Sequence, residues 1–274
     1  MIELPEASTI ARQLNETIIG KKVIKVAAAQ HPHKFAWYYG DPQGYHGLLY
    51  DKVIEKVIRH GSFIKIVAGD TRILLAEGVN ISYFREGEKL LVRHQLHIEF
   101  EDHSSIVGTV QMYGGLWAYP AGQYVNPYYF VAKEKPDPLS DGFNEAYFNN
   151  VMNQSAKNLS LKALLASEQR IPGLGNGVLQ DILFNAKLHP KKKLNTLTDS
   201  DINILFHSVK TTLAEMAIGG GRDTERDLFG HFGGYKTILS KNTSDKPCGT
   251  CGDIIKKEAY LGGSIYYCPT CQKL

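Results

Sequence analysis

The four cysteines of this 274-residue chain are Cys248, Cys251, Cys268 and Cys271, and together they form CGTC and CPTC in a C-x2-C-x16-C-x2-C spacing. Two short knuckles of this kind bring four thiolates around one tetrahedral Zn2+, with Zn–S bonds of about 2.3 Å. Two disulfides or a redox pair are the competing uses of such cysteines. They fit a cytosolic chain less well, because no βαβ context surrounds either CxxC. One structural zinc ion is the expectation. The insert GDIIKKEAYLGGSIYY has two β-rich runs flanking Gly262-Gly263, which suits a hairpin whose tip spans Leu261 to Ser264. Lys256 and Lys257 lie on its first run and offer charge to a polyanion.

Charge is divided unevenly along the chain. Residues 1–150 carry 15 Lys/Arg against 17 Asp/Glu, and residues 151–274 carry 16 against 11. A polyanion is therefore expected to meet the second half first. Hydrophobic residues make up 43% of the sequence, enough for packed cores and too many for a disordered chain. No window approaches the roughly 18 apolar residues of a membrane span, so a cytoplasmic monomer without a membrane partner is the default.

A second informative stretch is LSLKALLASEQRIPGLGNGVLQDILFNAKLHP, residues 159–190. Leucines spread helically over Leu159 to Glu168, and Ile171-Pro172-Gly173 ends that run. Beyond the turn, Leu179, Ile182, Leu183 and Ala186 recur at helical spacing, with Asn176 placed as an N-cap. Glycines at such a turn, Gly175 among them, let the backbone approach a ligand. The free N–H groups at the start of the second helix suit phosphate. An ordinary helical hairpin would show the same pattern.

The first half opens on a helix in which Pro5 suits the first turn and Ala7, Ile10, Ala11, Leu14 and Ile18 form one apolar face. After it, KKVIKVAAA, KVIEKVIR, FIKIVAG, TRILLAEG, HIEFED and SSIVGTVQMY read as strands. KEKPDPLSDGF, residues 133–143, concentrates Pro, Asp and charge and reads as a linker.

ELPEAST at residues 3–9, IPGLGN at 171–176, GGGRDTERDLFG at 219–230 and YYCPTCQK at 266–273 occur in the order in which they resemble the formamidopyrimidine-DNA glycosylase and endonuclease VIII family. The resemblance spans nearly the whole chain. It implies an α+β protein with an N-terminal β-sandwich at 1–135, a helix-two-turn-helix domain at 136–240 and a zinc-finger hairpin at 241–274. It also implies binding of damaged or abasic double-stranded DNA between the domains, hence association with the nucleoid, and repair through a Schiff base.

Residue by residue, the implied chemistry is incomplete. Glu3 matches the family's catalytic glutamate, and Glu6 lies one turn along. The family's nucleophile is an N-terminal proline amine, whereas this chain has Met1 and Ile2. A large second residue protects the initiator methionine, and one extra residue displaces the terminal amine by up to about 3.5 Å, a whole near-attack distance. Ser62 stands in the place of the family's lysine, and Lys65, an odd number of strand positions away, points to the other face. Met112 and Tyr113 occupy the region of the family's base-replacing wedge but bring no charge. Gly263 stands where the family's hairpin carries a phosphate-gripping arginine, and Asn176 matches the phosphate-contacting asparagine. Three functions are compatible with this pattern. One is a binder of damaged, abasic or distorted DNA whose usual chemistry is lost or altered. Another is an active glycosylase and abasic-site lyase using the α-amine of Met1 or Ile2 with Glu3, and the third is a zinc-ribbon scaffold for a protein partner.

Overall fold

The computed structural model describes residues 2–76, 78–124 and 126–274. Helix α1 (Leu4–Ile18) buries the apolar face expected of it, with Pro5 in its first turn. It is followed by β1 (Val23–Ala28), β2 (Ala36–Trp37), α2 (Tyr45–Leu49), β3 (Ile54–His60), β4 (Phe63–Ala68) and β5 (Thr71–Leu75). Then come β6 (Val79–Phe84), β7 (Leu96–Phe100), β8 (Ser105–Val110) and β9 (Gly114–Pro120). One sheet has the antiparallel order β1-β7-β8-β6, and the other has the order β2-β9-β5-β4-β3, in which only β2 runs parallel to its neighbour. Ile10, Leu14 and Ile18 of α1 pack with Ile66, Ile73, Ile98, Phe100 and Ile106 of the two sheets in a single core.

Helix α3 (Pro127–Glu134) packs Tyr129 and Ala132 against Phe63, Leu74, Trp117 and Tyr119 of the sandwich, and the helical unit contains α4 (Glu145–Gln154), α5 (Leu161–Ala166), α6 (Val178–Asn185) and α7 (Asp199–Ile218). Helix α5 is capped by Ser160, whose hydroxyl accepts from the Ala163 N–H. In α7, the Thr198 hydroxyl accepts from the Asp201 N–H, and the Asp201 carboxylate accepts in return from the Thr198 N–H at 3.0 Å, a reciprocal cap. Leucines of α5 and α6 pack with Leu205, Val209 and Leu213 of α7 in a second core.

The zinc-ribbon segment forms β10 (Lys256–Tyr260) and β11 (Gly263–Tyr267) in antiparallel register, with Tyr260 opposite Gly263. The turn therefore sits one residue earlier than the sequence suggested. Leu261 and Gly262 are its central pair, with φ of 46° and 72°, both positive as a tight two-residue hairpin requires. Gly263 is thus a strand residue with a defined facing direction.

Two side chains cross between the cores. Leu4 of α1 is buried in the helical core, and Leu228, from the loop after α7, is fully buried in the sandwich core. The Leu228 N–H donates to Gln13 Oε1 at 3.0 Å and its carbonyl accepts from the Tyr83 N–H at 2.9 Å. This stitch fixes the 222–232 loop against α1 and β6. Leu228→Ala is expected to cost about 2–5 kcal/mol, read as a lowered urea midpoint.

Candidate nucleic-acid cleft and four-cysteine centre

The start of α1 is held by charge burial. Glu3 and Glu6 are each nearly inaccessible, as is Arg222 from the loop after α7. Arg222 donates through Nε to Glu6 Oε1 and through Nη2 to Glu6 Oε2, both at 2.9 Å, and through its backbone N–H to Oε1 at 3.0 Å. Its Nη1 lies 3.7 Å from Glu3 Oε1. Burial works to raise the Glu6 pKa, but the Arg222 charge and hydrogen bonds outweigh it and hold this carboxyl below its ordinary range. Glu3 is different. Burial dominates and raises its pKa, with Arg222 opposing and Glu6 adding to the rise.

The remaining capacity of Glu3 goes to α6. Its Oε1 accepts from the Gly177 N–H at 2.7 Å and its Oε2 from the Val178 N–H at 2.8 Å. This corrects two local expectations. Asn176 is not the N-cap of α6; Gly177 holds that position without a side-chain cap, and a carboxylate from the other end of the chain supplies it. The two N–H groups expected to be open to phosphate are already engaged. A carboxylate at a helix N-terminus satisfies both the orphan donors and the helix dipole. The glycines make room for it: a Cβ on Gly175 would lie 2.6 Å from Glu3 Cδ, and one on Gly177 would lie 1.6 Å from Arg222 Nη1.

Ile2 places its side chain in the sandwich core. Met1 lies outside the described residues. Ser62 is buried, its hydroxyl without a hydrogen-bond partner, beneath a contact in which the β3–β4 turn presses on the Ile171–Gly173 turn. A Cβ on Gly61 there would lie 2.8 Å from Gly173 N. Lys65 sits on the outer face, its ammonium 5.9 Å from the Tyr129 ring centroid.

Asn176 and Gln180 join α6 to the hairpin. Asn176 Nδ2 donates to the Ser264 carbonyl at 2.9 Å, and Gln180 Oε1 accepts from the Tyr266 N–H at 3.0 Å. Asn176 Oδ1 is buried and unpaired. A Cβ on Gly263 would lie 3.3 Å from Lys162 Nζ and 3.5 Å from Asn176 Nδ2. The positive charge beside Gly263 therefore comes from α5. Lys162 is buried, donates to the Tyr260 carbonyl, and has its pKa lowered by burial. Lys256 and Lys257 are exposed on β10.

A cleft of about 190 Å³ opens beside this junction, with Asn176, Gln180, Arg222 and Tyr266 in its wall. It shares Thr224, Glu225 and Lys241 with a larger hollow of about 520 Å³ between the 224–232 loop and Asn80–Phe84 of β6, with Gln111 at its edge. Sequence reasoning assigned no role to Arg222, Lys162 or Gln180. Their one local signal was polarity within or beside runs that the fold buries.

At the C-terminus, the four Sγ atoms lie within 4.8 Å of one another. Cys248 Sγ and Cys271 Sγ are 3.9 Å apart, and Cys251 Sγ and Cys268 Sγ 3.4 Å. All four thiols are free. A tetrahedron with metal–sulfur bonds of about 2.3 Å has edges of about 3.8 Å, so this donor set fits one metal ion.

A β-sandwich joined to a helix-two-turn-helix unit and a four-cysteine hairpin defines the scaffold of a class of DNA glycosylases. Residues 1–124 match the formamidopyrimidine-DNA glycosylase N-terminal domain, and residues 135–227 match the formamidopyrimidine-DNA glycosylase H2TH domain. The formamidopyrimidine-DNA glycosylase of Lactococcus lactis subsp. cremoris is 30% identical over 289 residues, covering 100% of both chains. The crystal structure of Lactococcus lactis Fpg in complex with abasic-site DNA is similar with a TM-score of 0.83 at 26% identity, over 99% of this chain and 100% of that one. MutM (Fpg) from Thermus thermophilus, at 23% identity and a TM-score of 0.82 over 98% of each chain, shares the fold. The chain belongs to the formamidopyrimidine-DNA glycosylase family.

Removing Arg222 is expected to leave two buried carboxylates without their counter-charge, and Arg222→Ala to cost about 3–5 kcal/mol. In the native protein, the contribution of Glu6 is fully present above the unfolded carboxylate range and lost as pH falls through its lowered folded value. In the variant, burial and the mutual repulsion of Glu3 and Glu6 raise the two carboxyls, opposed only by backbone N–H donors, so the folded state binds protons more readily and gains stability on acidification. Urea midpoints at pH about 7 and about 5 are therefore expected to show the gap between variant and native narrowing at the lower pH.

Proposed function

We propose that this protein recognises damaged, abasic or otherwise distorted double-stranded DNA and lacks the covalent glycosylase and lyase chemistry of its family. The observation that supports this most directly is the pair Ile2 and Ser62. At the two places where the family resemblance puts an amine nucleophile and a lysine, this chain has an isoleucine packed into the core and a serine sealed under a turn. While Met1 precedes it, the Ile2 nitrogen is an amide and no nucleophile, and the Ser62 side chain carries no amine. Glu3, capping α6 through Gly177 and Val178, works as the strut that fixes α6 to α1.

The DNA part of the reading draws on the relatives, several of which were solved bound to abasic or lesion-containing DNA. The cleft between the sandwich and the helical unit offers a compatible surface. Lys162 and Asn176 gather where Gly263 leaves space, Gly175 keeps the α6 turn narrow, and Lys241, Lys256 and Lys257 add charge along the hairpin side. A phosphate run laid along the exposed members, Lys241, Lys256 and Lys257, meets cations from two segments, with the buried Lys162 adding its field from beneath. Distorted DNA is favoured because a base that is missing or poorly stacked lowers the few-kcal/mol cost of extrusion.

The metal is zinc in this reading, since four thiolates in a tetrahedral set match its preference. Bound zinc would hold the two knuckles together and supply no reacting group, because all four donors come from the protein. Cys248, Cys251, Cys268 and Cys271 are its ligands. Chelation is expected to release one Zn2+ per chain and to abolish DNA binding, followed by metal analysis and anisotropy.

Borohydride trapping on abasic-site DNA tests the chemistry. The expected outcome is tight binding with no covalent adduct. A trapped adduct would establish the alternative, a lyase using the α-amine of Met1 or Ile2 with Glu3. Affinity is expected to fall steeply with salt as phosphate counterions are released, and failure to bind at low salt would leave the protein-scaffold reading in place.

A further inference from the structure

The outer face of the five-stranded sheet gathers positive charge, although it lies in the half of the chain that carries more Asp/Glu than Lys/Arg. Lys56 of β3 and Arg72 of β5 both stand opposite Val67 of β4, and Lys65 lies two residues from Val67. Strand alternation sets Lys65 and Val67 on the face of Phe63, away from the core residues Ile64, Ile66 and Ala68. With neighbouring strands about 4.8 Å apart, the three strands present cations across about 10 Å. Lys133 of α3 adds a fourth, close enough to act on Lys65.

These charges are held in place without being neutralised. Arg72 Nη1 donates to the Gly69 and Thr71 carbonyls at 2.7 and 2.8 Å. Lys65 Nζ lies 5.9 Å from the Tyr129 ring centroid, and Lys133 Nζ 5.9 Å from that of Phe130. Among the described residues none of the four meets a carboxylate, whereas Lys21, Lys22, Lys52 and Arg59 in the same half each do. Burial, and then the charges of Lys133, Arg72 and Lys56, lower the Lys65 pKa, and no acid opposes them. Four mutually repelling cations favour an external counter-charge. The apolar part of the same face is closed by α3, whose Tyr129 and Ala132 cover Phe63, Leu74, Trp117 and Tyr119, so charge is what the surface offers. It shares no residue with the cleft beside Asn176.

We propose that Lys56, Lys65, Arg72 and Lys133 form a second DNA-binding face, which takes the phosphate backbone of a separate duplex segment without reading its sequence while the cleft holds the distorted site. The inference rests on the DNA-binding reading above and goes beyond it, because one chain then joins two duplexes. Duplex DNA presents one charge per about 1.7 Å of its axis, a dense and regular array that meets cations fixed on adjacent strands. An acidic peptide would find charge here without an apolar pocket for its other side chains.

The test uses the full-length protein, a short abasic duplex fixed to beads and an intact fluorescent duplex in solution. The protein is expected to retain the fluorescent duplex on the beads, with retention falling as salt rises. Lys56→Gln/Lys133→Gln is expected to flatten the double-logarithmic salt slope of that retention by about 2, one for each lost phosphate contact, and to leave binding of the abasic duplex alone unchanged. Both lysines are exposed, and an unchanged melting temperature shows that the variant is folded. Native protein that binds the abasic duplex and retains no second duplex overturns the face alone, as does a double variant that retains it with the native slope. Retention that polyglutamate removes more readily than unlabelled duplex, at equal charge, assigns the face to an acidic protein segment and overturns the proposal. If the native protein binds neither duplex, the DNA reading and the second face fall together.

Discussion

Arg222 between Glu3 and Glu6 is the interaction on which the rest of the arrangement depends. It joins the first turn of α1 to the loop after α7, and through Glu3 it reaches the start of α6. Three chain segments far apart in sequence are thereby fixed to one another around buried charges. Buried ion networks of this kind are weak evidence for net stability, since desolvation offsets most of the attraction. Their stronger consequence is geometric, because a displaced member leaves a buried charge unpaired. The absence of a side chain at Gly175 and Gly177 follows from this need, and so does the fixed placement of Glu3 and Glu6 at the start of α1.

The same network explains why the site was only partly legible. The four-cysteine spacing, the α1 face and the turn between α5 and α6 are local patterns, and sequence periodicity exposes them. The partner of the α6 N-terminus is not local. Asn176 had the right residue type for a cap, but Glu3 fills that role from more than 170 positions away, and no window around residue 176 contains that information. Strand β9 was hidden for a related reason. Its residues 114–119 are buried on both faces, so it shows no alternation to read. Helix α7 carries Ile202, Ile204, Val209, Thr211 and Thr212, β-branched residues that dilute a helical signature.

The hairpin shows how a one-residue shift changes a functional inference. With Gly262-Gly263 as the turn, Gly263 would be a tip residue with no fixed direction. With Leu261-Gly262 as the turn, it is a strand residue whose missing side chain would point at Lys162 and Asn176. The loss of an arginine there and the burial of a lysine beside it then become parts of one arrangement. The charge is carried by α5, held by the Tyr260 carbonyl, and its ammonium presents a compact point charge rather than a planar fork.

That exchange bears on what kind of recognition the cleft supports. A bidentate arginine fixes a phosphate in one orientation, which a covalent reaction needs because its reacting atoms must be aligned within a few tenths of an ångström. The buried Lys162 ammonium, already donating to the Tyr260 carbonyl, makes no such fork and acts on a phosphate only through its charge. Under the proposed function, the missing fork fits, together with Ile2 and Ser62 at the expected reacting positions, the holding of distorted DNA over its alignment for attack. The network at Arg222 and Glu3 fixes the start of α6, and with it Asn176 against the hairpin carbonyl of Ser264, so the geometry beside Gly263 is set from the far end of the sequence.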